Sequence, residues 1–409
     1  MKSFSKRRFL RAGGAALLGI AGAWAARAGA SRAASRRDDH YDLIVVGGGN
    51  AGMPAAIFAA ERGARVLIVE AGQALGGTLY LSSGQMSAAG TKLQKSKGIE
   101  DNSDLFFEDI MRISKHTADK ALVRMAVENA AETFDWLMDN GFDVHPHHPV
   151  TGTTHEPYSV ARYAWGREGG RSILAVLNEQ IAPPIASGLV TPLLETRVTD
   201  LVVDGQGQVT GVRTSDAAGA RDYHGDQVLL TVGGYGSNPA MFERLEGVER
   251  TCACSYPNSQ GAGIDLGLRA GGYLRGGENH LPLFGAVLAS RDYPSAMIGA
   301  HRPWPPHDPP WGIYVNSAGQ RFMAEDVASH DAHEQALLAQ EGECCWLVFD
   351  DAMFRDMALS LGGFGGFGEE EVRAAFASGR DFFYRAESLD GLAAAAELDA
   401  AGLAATVER

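Results

Sequence analysis

Cysteine is scarce. There are four in 409 residues, Cys252 and Cys254 with one residue between them and Cys344 beside Cys345. Neither pair has the CxxC spacing of a zinc ligand set or the CxxCH run of a c-type haem attachment, so a disulfide scaffold, a zinc site and a covalent haem are not indicated. Positive charge is also short: 36 Lys and Arg stand against 50 Asp and Glu, a formal charge of −14. That balance argues against sequence-independent binding to nucleic acid or to anionic lipid. No apolar run reaches the roughly 20 residues that a spanning helix needs. Glycine, by contrast, is plentiful at 51 residues, in a composition that is 45% hydrophobic and 21% charged. Such a chain is globular, and its length suits two or three domains.

Residues 1–30 read differently from the rest. Lys2, Lys6, Arg7, Arg8 and Arg11 precede an Ala/Gly/Leu run from Ala12 to Ala26, and no acid appears before Asp38. Ser5-Lys6-Arg7-Arg8-Phe9-Leu10-Arg11 resembles a twin-arginine export signal with Lys in the place of the first arginine, and Ala28-Gly29-Ala30 offers a small-x-small cleavage site. The expectation is a signal peptide over 1–30, a periplasmic protein, and no stable membrane anchor after cleavage. Losing those residues removes six positive charges and no negative ones, taking −14 to −20. Proteins exported this way travel folded, often around a cofactor already acquired.

The nucleotide-binding signal starts at Tyr41. A buried apolar strand, Leu43 to Val46, runs into Gly47, Gly49 and Gly52 at G-x-G-x-x-G spacing; a helix begins near Ala51, and a second apolar strand, Val66 to Val69, ends at Glu70. The first glycine permits the tight turn, the second lets backbone approach a pyrophosphate, and the third lets the helix pack close to the strand. Asn50 and Ala51 complete the turn, where backbone N–H groups and the helix dipole face phosphate. Glu70, followed by Ala71, is placed to accept from a ribose 2′-hydroxyl, which disfavours NADP. Strand, triplet, helix, strand and terminal acid together are far more specific than a glycine triplet alone.

Gly76-Gly77-Thr78 and the small-residue stretch Ser82 to Gly90, which includes Ser83 and Gly84, follow the second strand. From here the chain resembles the FAD-dependent flavoprotein family of fumarate reductase and succinate dehydrogenase, whose soluble branch includes 3-ketosteroid dehydrogenases and urocanate reductase. The resemblance implies that these small residues line the pyrophosphate and the flavin ring; Thr78 and Gln85 are departures from it. It implies that the backbone at Val198, in Glu195–Leu201, holds the adenine, and that Val228 to Asn238, with Gly233 and Gly234, is the family's ATGG-F-x-x-N turn. Gln260-Gly261-Ala262-Gly263-Ile264 stands where the family often has TGDGI, with Ala262 in the place of Asp. The implied fold is α/β, a Rossmann-like FAD-binding domain with a capping α+β domain. The expected domains are 1–30 signal, 31–282 FAD binding and 283–409 cap, and the implied cofactor is FAD rather than NAD.

Other segments read as scaffold. Ala121 to Asn140 carries Leu122, Met125, Ala126, Ala130, Phe134 and Leu137 at helical spacing before Gly141, which predicts a core-packed helix. His145, His147 and His148 lie among prolines, as in a loop, and no metal is expected there. Arg302 to Trp311 is a Pro- and Trp-rich loop or boundary. Gly312 to Glu325 resembles the family's G-x-x-V-N-x-x-G-x-R-F-x-x-E signature at the entry to the cap.

A few residues further on, the fumarate reductase branch has a TTRD-like turn whose arginine protonates substrate. Here that turn reads Ala328-Ser329-His330-Asp331. Histidine titrates near neutrality and is a candidate proton donor, but it lacks the guanidinium fork that suits a carboxylate. Catalytic candidates are therefore His330 and Arg321, with Arg321 and Glu325 open to a purely structural pairing. Unsubstituted fumarate becomes a less favoured substrate than a larger ring or enoate.

The chain ends at Thr406-Val407-Glu408-Arg409, before the family's HxTxGG and GE-x-xGG-x-HG-x-NRLGG segments, so the cap is expected to be incomplete. Three functions follow: an exported FAD-dependent oxidoreductase acting on an activated C–C bond; a non-catalytic remnant keeping the adenine half of the site; and an NAD-linked dehydrogenase, which the matches over 195–238 oppose. The partners expected are a small-molecule substrate and a separate electron donor or acceptor, with no nucleic acid.

Overall fold

The computed structural model describes residues 40–152, 156–277, 280–301, 312–327, 329–356 and 368–408. The expected export signal, the Pro- and Trp-rich stretch 302–311 and Ala328 lie outside the described residues. No helix among those described is long and apolar enough to cross a membrane.

The chain divides into two units. The first runs to Gly152 and takes in Pro157–Gly233 and Asp265–Gly272; the second takes in Glu156, Gly234–Ile264 and the chain from Tyr273. The sequence reading carried the first domain continuously to 282. Contacts instead pass the chain to the second unit at Gly234 and return only Asp265–Gly272 to the first.

The first unit is built on β1 (His40–Val46), α1 (Gly52–Ala60) and β2 (Val66–Val69). Further along lie α2 (Ser103–Ile113), α3 (Lys120–Asp139), α4 (Gly170–Ala186), β3 (Val190–Leu193), β4 (Arg197–Val203), β5 (Val209–Asp216) and β6 (Gly219–Leu230). The sheet order is β3-β2-β1-β6-β5-β4. The first four strands are parallel, and β6-β5-β4 is an antiparallel meander. β1 and β2 are apolar on both faces because both faces are covered. Val45 and Ile68 pack with Met53 and Ile57 of α1 and Leu177 and Ile181 of α4. Ile44, Val46, Leu67 and Val69 turn the other way, onto Val198, Val212 and Leu266.

Helix α3 corrects one expectation. Its packed stripe is Val123, Val127, Ala130, Phe134 and Leu137, spaced by fours and threes. Leu122 and Met125 lie off that stripe and are exposed. Beside α3, Arg162 is fully buried between two acids. It donates from Nε and Nη2 to Asp101 (2.9 and 2.8 Å) and from Nη1 to Asp109 at 2.6 Å. The Asp109 carboxylate also accepts from Arg112 and from the backbone and hydroxyl of Ser159.

In the second unit, β7 (Ala286–Leu288) pairs with β8 (Met297–Ala300), and β9 (Ile313–Val315) pairs with β10 (Trp346–Val348), both antiparallel. Helix α5 (His330–Leu338) lies between β9 and β10 in sequence, and Leu337 packs with Phe284 and Tyr314. Near the C-terminus, α6 (Leu389–Ala396) and α7 (Ala400–Val407) bury Ala393 and Leu403 against Val315.

Candidate functional site

In the first unit the turn between β1 and α1 is fixed by backbone geometry. Gly47 has φ +96°, and a Cβ on it would lie 2.6 Å from the Thr231 carbonyl oxygen. A Cβ on Gly52 would lie 2.0 Å from the Gly47 oxygen and 2.8 Å from the Thr231 hydroxyl. Only glycine permits this approach of helix to strand. Gly49 differs, because a Cβ there meets nothing within 4 Å. Its backbone borders open space and is free to meet a ligand. Helix α1 starts after Ala51 with no side-chain cap. Met53 N–H is taken by the Gly49 carbonyl at 3.0 Å and Pro54 has no N–H, so the Gly52 N–H at the helix start is the one left for an anion.

Glu70 is 6% exposed, and two backbone amides orient its carboxylate: Gly48 N–H donates to Oε2 at 2.8 Å and Gly72 N–H to Oε1 at 2.7 Å. A carboxylate has about four lone-pair positions, so hydroxyl donors can still be accepted. Gly76 N–H donates to the Gly48 carbonyl at 2.8 Å, and a Cβ on Gly77 would come to 3.5 Å from the Gly49 Cα. The second glycine turn is thus stacked on the first. Asn50, Ala51 and Thr78 are exposed around it, and Ala71 is half-buried.

Ser83 is exposed, while Gly84 packs against the start of α4, where a Cβ would lie 2.5 Å from Gly170 N. Val198 lies on the edge strand β4 with its side chain in the core. Gly233 ends the first unit and Gly234 begins the second; a Cβ on Gly234 would also meet nothing within 4 Å.

Sequence reading missed Gly48, Gly72 and Thr231 as parts of this turn. Thr231 donates to the carbonyls of Val46 (3.0 Å) and Gly47 (2.7 Å). A hydroxyl residue directly after the fourth parallel strand, β6, was the available signal for it. The donor set, the uncapped helix start and the open face at Gly49 fit the adenosine diphosphate portion of FAD. Gly47, Gly49, Gly52 and Glu70 would hold it.

His330 and Arg321 belong to the second unit. Ser329 caps α5 by accepting from Ala332 N–H at 3.1 Å, and its hydroxyl bonds Glu156. His330, the first residue of the helix, is buried; its ring lies 6.2 Å from that of His333, which lies 5.3 Å from Phe284. Burial holds the His333 imidazole below the usual histidine range. Arg321 is exposed and binds the buried Glu325 carboxylate through Nε (2.9 Å) and Nη2; the same carboxylate accepts from Tyr314 N–H at 2.8 Å. The guanidinium therefore holds the carboxylate that anchors β9 at its central residue. No group of three or more His, Cys, Asp or Glu among the described residues could hold a metal ion; in the His145–His148 loop the His148 ring meets the Trp165 ring edge to face, with centroids 3.7 Å apart.

Comparison with known proteins agrees with this geometry. The family described as FAD binding domain matches residues 42–409. Fumarate reductase (cytochrome) of Shewanella frigidimarina is 29% identical over 332 residues, 80% of this chain and 54% of that protein. Urocanate reductase of Eggerthella lenta is 27% identical over 332 residues, 76% of this chain and 50% of that protein. The chain thus spans about half the length of these relatives. The fold is shared with 3-ketosteroid Δ1-dehydrogenase of Sterolibacterium denitrificans, at a TM-score of 0.67 and 18% identity over 90% of this chain and 78% of that one. The chain belongs to the FAD binding domain family, and its cofactor is FAD.

Proposed function

We propose that the protein is an exported oxidoreductase that uses FAD to reduce or form an activated carbon–carbon double bond in an enoate, dicarboxylate or ketosteroid-like substrate. The observation that carries the reading is the Glu70 carboxylate, aimed by Gly48 and Gly72 beside the open face of Gly49. FAD, when bound, supplies the hydride chemistry. Fumarate and urocanate, after which two relatives are named, are both conjugated enoates, and reduction of an enoate needs one proton delivered to carbon.

His330 is the proposed carrier of that proton, held at the first turn of α5 by the Ser329 cap. Arg321 acts as a positioning residue through Glu325 and β9. Phe284, Tyr314 and Leu337 exclude water behind the histidine pair. Export rests on the basic and small-residue pattern of residues 1–30, and a separate electron partner is proposed to work outside the cytoplasm. Fractionation of cells would place a shortened protein in the periplasm; full-length protein in the cytoplasm alone would contradict export.

Replacing His330 by Gln tests the chemistry. The FAD content should be unchanged and enoate turnover should fall about 100-fold or more, the usual contribution of a positioned proton donor. Wild-type turnover in His330→Gln would remove His330 from the reaction. FAD binding without turnover of any enoate or ketosteroid by the wild type would favour the non-catalytic remnant.

A further inference from the structure

All four cysteines lie in the second unit and line one cavity of about 2290 Å³. Two of them are arranged for chemistry. Residues 251–253 run extended beside Ser295: Ala253 N–H donates to the Ser295 carbonyl at 2.7 Å, and Ser295 N–H donates to the Thr251 carbonyl at 2.8 Å. Alternation along an extended backbone places Cys252 and Cys254 on one side, and their thiols hydrogen-bond to each other. Arg250, largely buried, lies on the same side and lines the same cavity. Cys254 is exposed and Cys252 half-buried.

We propose that Cys252 and Cys254 form a thiol–disulfide exchange site, with Cys254 as the attacking thiol and Cys252 as the resolving one, taking an external disulfide as its reactant. The Cys254 thiolate attacks one sulfur of the disulfide RSSR, forming a Cys254–S–S–R bond and releasing RS⁻. Cys252 gives up its proton and attacks the Cys254 sulfur, releasing the second RS⁻. Two protein thiols lose two electrons and two protons to become one disulfide, and RSSR is reduced to two thiols. Across an extended two-residue step the Cα atoms are about 6.6–7 Å apart, at the upper limit of disulfide geometry, so closure draws the 251–255 segment of the cavity wall inward. No flavin is needed, and the site stands independently of the proposed function.

Local electrostatics explain the direction of attack. The hydrogen bond from Cys252, opposed by desolvation and helped by the Arg250 charge, brings the Cys254 thiol down to about 6. The Cys252 thiol is raised by that same bond and by burial. Desolvation and the Glu343 carboxylate raise the Cys344 thiol, and desolvation pushes Cys345 up to about 12. Against an ordinary exposed thiol at pH 6.5, the larger thiolate fraction of Cys254, discounted for its lower nucleophilicity, leaves a net advantage of about fivefold.

The test uses the full chain. Site-resolved alkylation of the reduced wild type, followed by mass spectrometry, should label Cys254 at least about fivefold faster than Cys344 or Cys345 at pH 6.5, with its rate half-maximal near pH 6. Glutathione disulfide should then give a Cys252–Cys254 disulfide, two hydrogens lighter and free of glutathione. In Cys252→Ser the exchange should stop at a glutathione adduct on Cys254. A Cys254 that titrates at the ordinary thiol value, or a wild type in which both thiols stay free or the adduct persists, would overturn the proposal. The wild-type measurements decide it even if the variant does not fold.

Discussion

Replacing Gly52 by alanine is expected to cost the protein its FAD, whereas Gly49→Ala should leave the fold intact and weaken FAD alone. At Gly52 the new methyl carbon would lie 2.0 Å from the Gly47 carbonyl oxygen and 3.0 Å from the Val45 side chain. The start of α1 must move away from β1, and the amides of the turn move with it. Affinity for FAD should fall at least about 100-fold, which is about 2.7 kcal/mol, and the thermal midpoint should drop as the α1–β1 packing opens. At Gly49 the methyl meets no protein atom and projects into the space left for a pyrophosphate. Its thermal midpoint should match wild type while FAD affinity falls about tenfold or more. Calorimetric FAD titration and thermal unfolding of both variants check this. A Gly49→Ala protein that binds FAD like wild type would place the pyrophosphate elsewhere.

The second large effect is expected far from any chemistry. Arg162→Met should destabilise the first unit by about 3–5 kcal/mol, because Asp101 and Asp109 would be left buried without the cation that both accept from. Urea unfolding measures it directly. The exposed pair Arg213 and Asp222, with an equally good bond of 2.8 Å, provides the contrast: Arg213→Met should be indistinguishable from wild type.

The effect also has a sign in pH. Desolvation pushes the Asp109 carboxyl up, but hydrogen bonds from Arg112 and Ser159 and the charge of Arg162 outweigh it and hold the group below its usual range. Its stabilisation is present above the unfolded carboxylate pKa and is lost as pH falls through the depressed folded value. The gap between wild type and Arg162→Met should therefore narrow on acidification below about pH 4.

These two cases also mark what could be read from sequence. The β1–turn–α1–β2 unit was legible because its signals are local: apolar strands four to seven residues long, glycines at fixed offsets, and an acid closing the second strand. Helix α3 was legible in extent, to within one residue at each end, but not in its facing. Leu122 and Met125 fit a helical period as well as Val123 and Val127 do, and only the packed neighbours decide which stripe is buried.

Long-range pairings left no local mark. Arg162 finds its acids 61 and 53 residues away, and Thr231 closes a glycine turn 184 residues earlier. The return of Asp265–Gly272 to the first unit is likewise a tertiary event, sealed by Leu266 among Tyr41, Val198 and Val212. At the glycine turn, sequence gave Glu70 a ligand-facing role; the two backbone amides that fix its carboxylate depend on where Gly48 and Gly72 fall in space.

The most direct test compares equilibrium binding of FAD and FMN to the purified protein, followed by quenching of flavin fluorescence. The two share a ring and one phosphate, and only FAD carries the adenosine half that Glu70 and the glycine turn are built to hold. FAD should bind at least about 100-fold tighter than FMN, about 2.7 kcal/mol, and ADP should compete with it. Equal affinity for the two flavins, or no displacement by ADP, would contradict the account.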